Sequence, residues 1–363
     1  MTDEADQLLT QGFEQYQTNQ FEAALQSWQQ ALTIYQEIQE RCWEGATLGN
    51  IGAAYLALGD FARAIDYQHQ RLLIAQEIQD RQGEARTLGN LGATYHDLGD
   101  LTRAIEYYQQ YLALAREIQE YEWEGNALGN LRLAYQALGD DSKASDYYQQ
   151  HFAMVRKFFV DAKTVNFSET ATRLGLNPTR DFAGTDLRGL NLRCADLKDA
   201  DLNHVNLSST DLTFTDLSRA NLSGADLSNA CLSNANLRDA DLSGANLKGA
   251  DLRTKLPRAN MSRADLSDAN LCSAYLPSAN LSCADLSRAG LSYADLSGVN
   301  FSAANLKDAD LSHADLSRAN VEKAQFGGNL GLSETMKREL QQRGAIFEDI
   351  EGNSSLGSDS SLS

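Results

Sequence analysis

From Asp186 to Phe326 the chain keeps a strict five-residue period, most often Ala-Asp-Leu-Ser-Xaa or Ala-Asn-Leu-Ser-Xaa. Counting centres by fives gives 14 from Leu187 to Leu252 and 15 more from Leu256 to Phe326. Of these 29, 25 are Leu and the others are Met261, Phe301, Val321 and Phe326. Ala stands two residues before the centre 22 times, and Asp or Asn one residue before it 24 times. An α-helix repeats every 3.6 residues and a strand every 2, so neither generates a five. Self-similarity at so short a period predicts a solenoid, in which each unit buries its apolar side against its neighbours. The centres and the small residues before them then face inward, and Asp, Asn, Ser, Arg and Gly face out. For such a chain the functional question concerns surfaces.

A second repeat, of period 40, precedes the pentads. Leu48-Gly49-Asn50-Ile51-Gly52-Ala53-Ala54-Tyr55 recurs, with changes, at 88–95 and at 128–135. Each copy is followed by Leu-Gly-Asp at 58–60, 98–100 and 138–140, and then by a second helical stretch carrying Ala64, Ala104 or Ala144. The Gly-Asp step suits a helix end followed by a helix start, with Gly closing one helix and Asp capping the next. A degenerate copy opens the chain with Gly12, Phe21, Ala24, Trp28 and Ala31. This gives four helix pairs, roughly 2–40, 41–80, 81–120 and 121–158. The fourth departs from the pattern, with Arg132 in place of the packing glycine and Asp141 in place of Phe21 and Phe61.

The period-40 unit resembles the tetratricopeptide repeat, in a long form similar to the repeats of spindle-orientation adaptors and kinesin light chains. The resemblance implies a helical superhelix whose first helices line a concave groove. Gly52, Gly92, Ala64 and Ala104 are expected where the helices of one pair approach closely, with Tyr55 and Tyr95 between pairs. Asn50, Asn90 and Asn130 fall at the position where related proteins use asparagines to bond the backbone of an extended peptide. An amide can donate and accept at once, which suits that task. The alternative is that these asparagines bond neighbouring helices. Arg86, Asn126 and Asp97 are expected to add polar character to the same face, which Gly49, Gly89, Ala53 and Ala93 keep open. Trp43 and Trp123 read as core.

The pentads resemble the pentapeptide-repeat family, whose motif is Ala-(Asp/Asn)-Leu-x-x. The period alone leaves three or four units per coil open. The resemblance implies four, in an all-β right-handed quadrilateral β-helix. At ~4.8 Å per coil, about seven coils make a rod of about 35 Å with two open ends. Ser333 is the expected N-cap of a capping helix that ends at Arg343-Gly344, and Leu332, Met336 and Leu340 form its apolar stripe. The expected division is a helical array at 1–158, a connector at 159–180, the coil at 181–329, a capping helix and strand at 330–350, and a disordered Ser/Gly/Asp-rich tail at 351–363.

Charge and motifs narrow the function. The net charge is −19. Residues 1–160 carry 11 Lys/Arg against 23 Asp/Glu, net −12, and 181–326 carry 14 against 19, net −5. That balance argues against nucleic acid and for basic or neutral partners of the helical half. The acidic start and the lack of an 18-residue apolar run predict a protein with no membrane span, cytoplasmic. Five scattered cysteines without a Cys-x-x-Cys pair read as reduced thiols, and no metal or cofactor is expected. Asp199, Asp201 and Asn203 imitate the start of a calcium loop, but His204 stands where that loop needs Gly. No phosphate loop, zinc-protease or nucleophile-elbow motif occurs, so no enzyme is expected.

One basic cluster stands out. Lys248, Arg253, Lys255, Arg258 and Arg263 surround a phase break, where nine residues separate Leu252 from Met261 in place of ten. It reads as a docking patch or as a solvated irregular corner. The expected function is a non-enzymatic interaction scaffold: the helical groove takes a peptide or protein partner and the coil serves as a rigid platform. The alternative, carried only by the family resemblance, is a DNA mimic acting on DNA gyrase. Its mixed charge and covered C-terminal end argue against that.

Overall fold

The computed structural model describes residues 2–161 and 166–348. It divides into two compact units, one drawn from Met1–Val155 with Arg173–Gly175 and the other from Arg156–Thr172 with Leu176–Ser363. The expected tail at 351–363 and part of the expected connector lie outside the described residues.

The first unit is built from paired helices: α1 (Thr2–Gln17), α2 (Phe21–Glu37), α3 (Arg41–Ala57), α4 (Phe61–Glu77), α5 (Arg81–Asp97), α6 (Leu101–Glu117), α7 (Tyr121–Ala137) and α8 (Asp141–Asp161). From α1 to α7 each packs on the next in sequence. The Gly-Asp step works as its chemistry requires. Gly59, Gly99 and Gly139 take φ of +77, +84 and +76°, and the carboxylates of Asp60, Asp100 and Asp140 accept from the backbone N–H of Arg63, Arg103 and Lys143, each at 3.1 Å. Such caps contribute about 1 kcal/mol each. Between pairs the left-handed residue is Gln39, Gln79 or Gln119.

A register of 16 residues sets the close approach within each pair. A Cβ on Gly12, Gly52 or Gly92 would meet Trp28, Gln68 or Tyr108 respectively. In the fourth pair Arg132 takes the glycine's place, and its guanidinium lies 5.6 Å over the ring of Tyr148. A cation–π contact thus stands where the other pairs use backbone proximity. Tyr55 packs in one cluster with residues of the first pair and Tyr95 in one with residues of the fourth, and they also stack on Tyr67 and Tyr107 of their own pairs, at 5.5 and 5.4 Å. One expectation changes. Trp43 is 46% exposed because it sits in the first turn of α3, with one face on Tyr35. Trp123 packs partly buried against the core of the third and fourth pairs.

The second unit is a coil of parallel bridges. Asp186 pairs with Asn206, Asn206 with Asp226, and so on to Asp310 with Leu330, at a spacing of 20 residues, or 19 across the phase break. Twenty residues are four pentads, so each coil has four sides. A pentad spends one residue on its bridge and two on its corner, too few for a continuous ladder. Among the described residues only β1 (Gln325–Phe326) and β2 (Ile346–Phe347) extend to two residues. All 29 centres are buried, 6% exposed at most. The second corner residue is left-handed, as at Arg219, Asp239 and Tyr293 with φ of 58–60°.

The phase break drops one corner residue of this kind, since no positive φ occurs between Gly249 and Arg258. The Lys255 N–H consequently reaches the Ala235 carbonyl only at 3.5 Å, against 2.9 Å for Asn260 to Ala240, and the Thr254 hydroxyl donates to that same carbonyl. At the C-terminal end, Ser333 caps α10 (Glu334–Gln342), accepting from Met336 N–H at 3.2 Å. Leu340 is buried, and β2 pairs in parallel with β1, stacking Phe347 on Phe326 at 5.1 Å. At the other end Phe167, in α9 (Phe167–Arg173), packs on the buried ring of Phe182 at 5.2 Å.

Candidate functional site

Asn50, Asn90 and Asn130 lie on α3, α5 and α7 at one register, 40 residues apart. Asn50 and Asn130 are half-buried and Asn90 is exposed. No side-chain hydrogen bond from the three amides to another described residue is formed, so they do not bond neighbouring helices. Three residues on, the same register reads Phe13, Ala53, Ala93 and Leu133. Phe13 is 45% and Leu133 51% exposed. The middle of this strip is therefore small and its two ends are apolar. Chemically, it offers free amide donors and acceptors beside apolar contact area.

The accompanying residues divide. Arg86 and Asn126 share a register on α5 and α7, both exposed, and the Asn126 amide bonds the Tyr111 hydroxyl. Burial, the larger effect, pushes that phenol up to about 12. Asp97 closes α5, 58% exposed, with His96 Nδ1 at 3.8 Å. The sequence reading missed Arg71, whose guanidinium lies over Gly49 next to Asn50. Its signal was weak, because the 40-residue register places Arg71, Tyr111 and His151 at equivalent points of the second helices, three dissimilar side chains.

The basic cluster at the phase break does not form one patch. In a four-sided coil, residues five apart fall on different sides. Lys248 follows the bridge column of Asn246, Arg253 that of Asp251, Lys255 lies in the column of Asn236 and Tyr275 with Arg258 after it, and Arg263 follows that of Asn260. Two of the five are also paired. Arg253 holds Asp251 at 2.6 Å and Arg258 holds Asp239 at 2.6 Å. Tyr293 and His313, 20 residues apart, stack at 4.7 Å as their spacing demands.

Among the described residues no helix is long and apolar enough to cross a membrane, and no group of three His, Cys, Asp or Glu could hold a metal ion.

Comparison with known proteins follows the same division. The tetratricopeptide repeat model matches residues 43–117 and 83–157, and the pentapeptide repeat model matches 181–219, 220–254, 255–292 and 294–328. Neither is a catalytic family. Among solved structures, HetL, a pentapeptide repeat protein involved in heterocyst differentiation regulation from the cyanobacterium Nostoc, is 34% identical. The match covers 46% of this chain and 80% of HetL, with a TM-score of 0.32. BtubC from P. vanneervenii is 20% identical over 45% of this chain and 66% of its own, with a TM-score of 0.40. Aspartyl phosphate phosphatase F from Bacillus subtilis is 20% identical over 43% of this chain and 41% of its own, with a TM-score of 0.41. No curated protein matches the chain by sequence. With the pentad motif matched across its four-sided coil and tetratricopeptide repeats matched across its helix pairs, the chain belongs to the pentapeptide-repeat family and carries an N-terminal tetratricopeptide-repeat array.

Proposed function

We propose that the chain is a non-enzymatic, cytoplasmic interaction scaffold whose helical array at 1–158 captures an extended peptide of a partner protein. The coil at 181–329, joined through 159–180 and closed by 330–350, is its rigid platform. One observation carries the reading: three amides at a single register, spaced by one repeat, with no partner in their own fold. An asparagine that packed neighbouring helices would spend its hydrogen bonds there, since polar groups lose free energy when left unmatched. The half-exposed Phe13 and Leu133 supply apolar contact at both ends of the strip. The coil's charge supports the platform role over gyrase mimicry. Its outward carboxylates alternate with arginines and pair with them, as in Asp199–Arg219 and Asp268–Arg288. A nucleic-acid mimic needs an unbroken anionic surface.

The test is an unbiased peptide array probed with the labelled full chain. Asn50→Ala, Asn90→Ala and Asn130→Ala combined should abolish retention, at a cost near 1–3 kcal/mol of binding per lost amide contact pair, while far-ultraviolet circular dichroism stays unchanged. Retention that survives the triple substitution rules out the amides as the capturing groups.

A further inference from the structure

One corner of the coil carries an aromatic ring that is only half used. Tyr293 and His313 hold the same left-handed corner position in successive coils, each with φ of 60°, and their rings stack at 4.7 Å and 17°. That separation is the coil spacing itself, so the stack needs no distortion. Tyr293 is nonetheless 65% exposed. Its other face looks toward the coil before, where the corner residue is Ser273, and so short a side chain leaves that face open. Beside the corner runs the bridge column Tyr275, Asp295 and Asp315. Asp295 accepts the Ser297 N–H at 3.0 Å and Asp315 the Ser317 N–H at 2.8 Å, both through Oδ1. Among the described residues neither carboxylate forms an ion pair or takes a bond from a side-chain amide. The nearest cation of the column, Lys255, stands beyond Tyr275.

The same corner supplies a comparison earlier in the coil. There Phe214 holds the position of Tyr293, and the Arg193 guanidinium of the preceding coil lies 5.0 Å over its ring. In the bridge column beside Phe214, Asp216 receives the Asn236 amide at 3.0 Å. Ring and carboxylate are both matched inside the fold. At Tyr293 both matches are missing. The residue equivalent to Arg193 is Cys272, whose sulfur takes the Ser292 hydroxyl at 3.2 Å. The residue equivalent to Asn236 is Asp315, a second carboxylate, so like charges face across one coil spacing. A guanidinium suits this opening. It is planar and lies flat on a ring, while its fork of N–H groups reaches carboxylates at the ring's edge.

From this we infer that this face of the coil docks an arginine side chain from a basic segment of a partner protein, stacked on Tyr293 as Arg193 is on Phe214 and paired with Asp295 and Asp315. The net −5 of residues 181–326 favours such a segment over an acidic one. The site owes nothing to the helical groove, so the coil becomes a point of attachment in its own right.

The experiment titrates the full chain, its tyrosine rings isotope-labelled, with the peptide acetyl-Gly-Arg-Gly-amide at constant ionic strength. The Tyr293 ring resonance is assigned by its loss in Tyr293→Ser, which repeats the residue at Ser273. Wild type should show a saturable shift in the millimolar range. Asp295→Asn combined with Asp315→Asn should weaken binding about fivefold, because two exposed charge contacts are lost. Cys272→Arg should abolish it, by giving Tyr293 from within the chain the cation that Arg193 gives Phe214. A linear response, an equal shift with the citrulline peptide, or indifference to the paired Asp→Asn substitution overturns the site. Equal affinity for the lysine peptide overturns its assignment to a guanidinium. Binding that survives Cys272→Arg overturns the stacking on Tyr293. Should Cys272→Arg not fold, Ser273→Arg, at an exposed corner, sets a cation under the same face and must block the peptide as well.

Discussion

At the scale of single residues, the choice between Asp and Asn in the coil is a choice about stitching. Either side chain accepts, through Oδ1, the backbone N–H two residues on, as Asp226 does from Ser228 at 3.0 Å and Asn221 from Ser223 at 3.2 Å. That shared turn bond explains why Asp or Asn precedes 24 of the centres, and it is why both read alike in the sequence. Only Asn can also donate. Asn320, Asn300, Asn280 and Asn260 each give Nδ2 to Oδ1 of the coil before, at 2.9–3.1 Å, ending on Asp241. Where two carboxylates are stacked, as at Asp265 and Asp285, no such bond can form and like charges face across one coil spacing. Asp285→Asn should therefore stabilise the coil by about 0.5–1.5 kcal/mol, because it adds a donor toward Asp265 and keeps its acceptor for Asn305. Asn280→Asp should destabilise it by a similar amount. Urea midpoints of the two variants moving in the same direction would refute the stitching argument.

At the scale of the elements, the corner columns show how a charged surface is organised by a period. Asp199, Arg219, Asp239 and Arg258 succeed one another along one corner, and Arg219 and Arg258 each grip the preceding aspartate through two hydrogen bonds, all at 2.6 Å. The arginine hydrogen bonds hold the Asp199 and Asp239 carboxyls below the usual carboxylate range. A depressed folded-state pKa contributes stability above the unfolded pKa and loses it as pH falls through the folded one. Arg219→Gln should lower the urea midpoint at neutral pH, and its gap from wild type should close from about pH 5 downward. These pairs are exposed, so added salt should narrow the same gap. A gap independent of both pH and salt would mean that the column contributes only through packing. The pairing was open to a sequence reader who counted by 20, because Asp199 and Arg219 are 20 apart. It was hidden from one who looked for local clusters, which is how Lys248, Arg253, Lys255, Arg258 and Arg263 were grouped though the coil sends them to four sides. Arg71 was hidden for a different reason: the 40-residue register sets it level with Tyr111 and His151, so no repeated signature marks the position.

At the scale of the whole molecule, both architectures were legible because each is one interaction repeated. Gly59 and Asp60 close and open helices by local rules, and Leu281 faces inward by the same rule as Leu286, so period alone fixed their environments. What a period cannot specify is how a solenoid stops. Inside the coil every backbone donor and acceptor on the bridge columns meets the next coil; at the last coil those groups need another partner or they recruit a second chain. The C-terminal segment supplies it. Ile346 N–H donates to the Ala324 carbonyl at 2.8 Å and Glu348 N–H to that of Phe326 at 3.0 Å, while Lys323 N–H gives 2.8 Å to Gly344. Phe347 covers the fully buried Phe326. Ending the chain after Gly331 should therefore leave the coil folded but expose a hydrogen-bonding edge beside an uncovered phenylalanine. Sedimentation velocity should then show concentration-dependent self-association that the full chain lacks at equal concentration. Substituting Phe347→Asp in the full chain should give the same association more weakly, because the backbone partners of Ala324 and Phe326 remain in place. A monomeric truncation would mean that the last coil satisfies its own edge, and that α10 and β2 serve some purpose other than ending the solenoid.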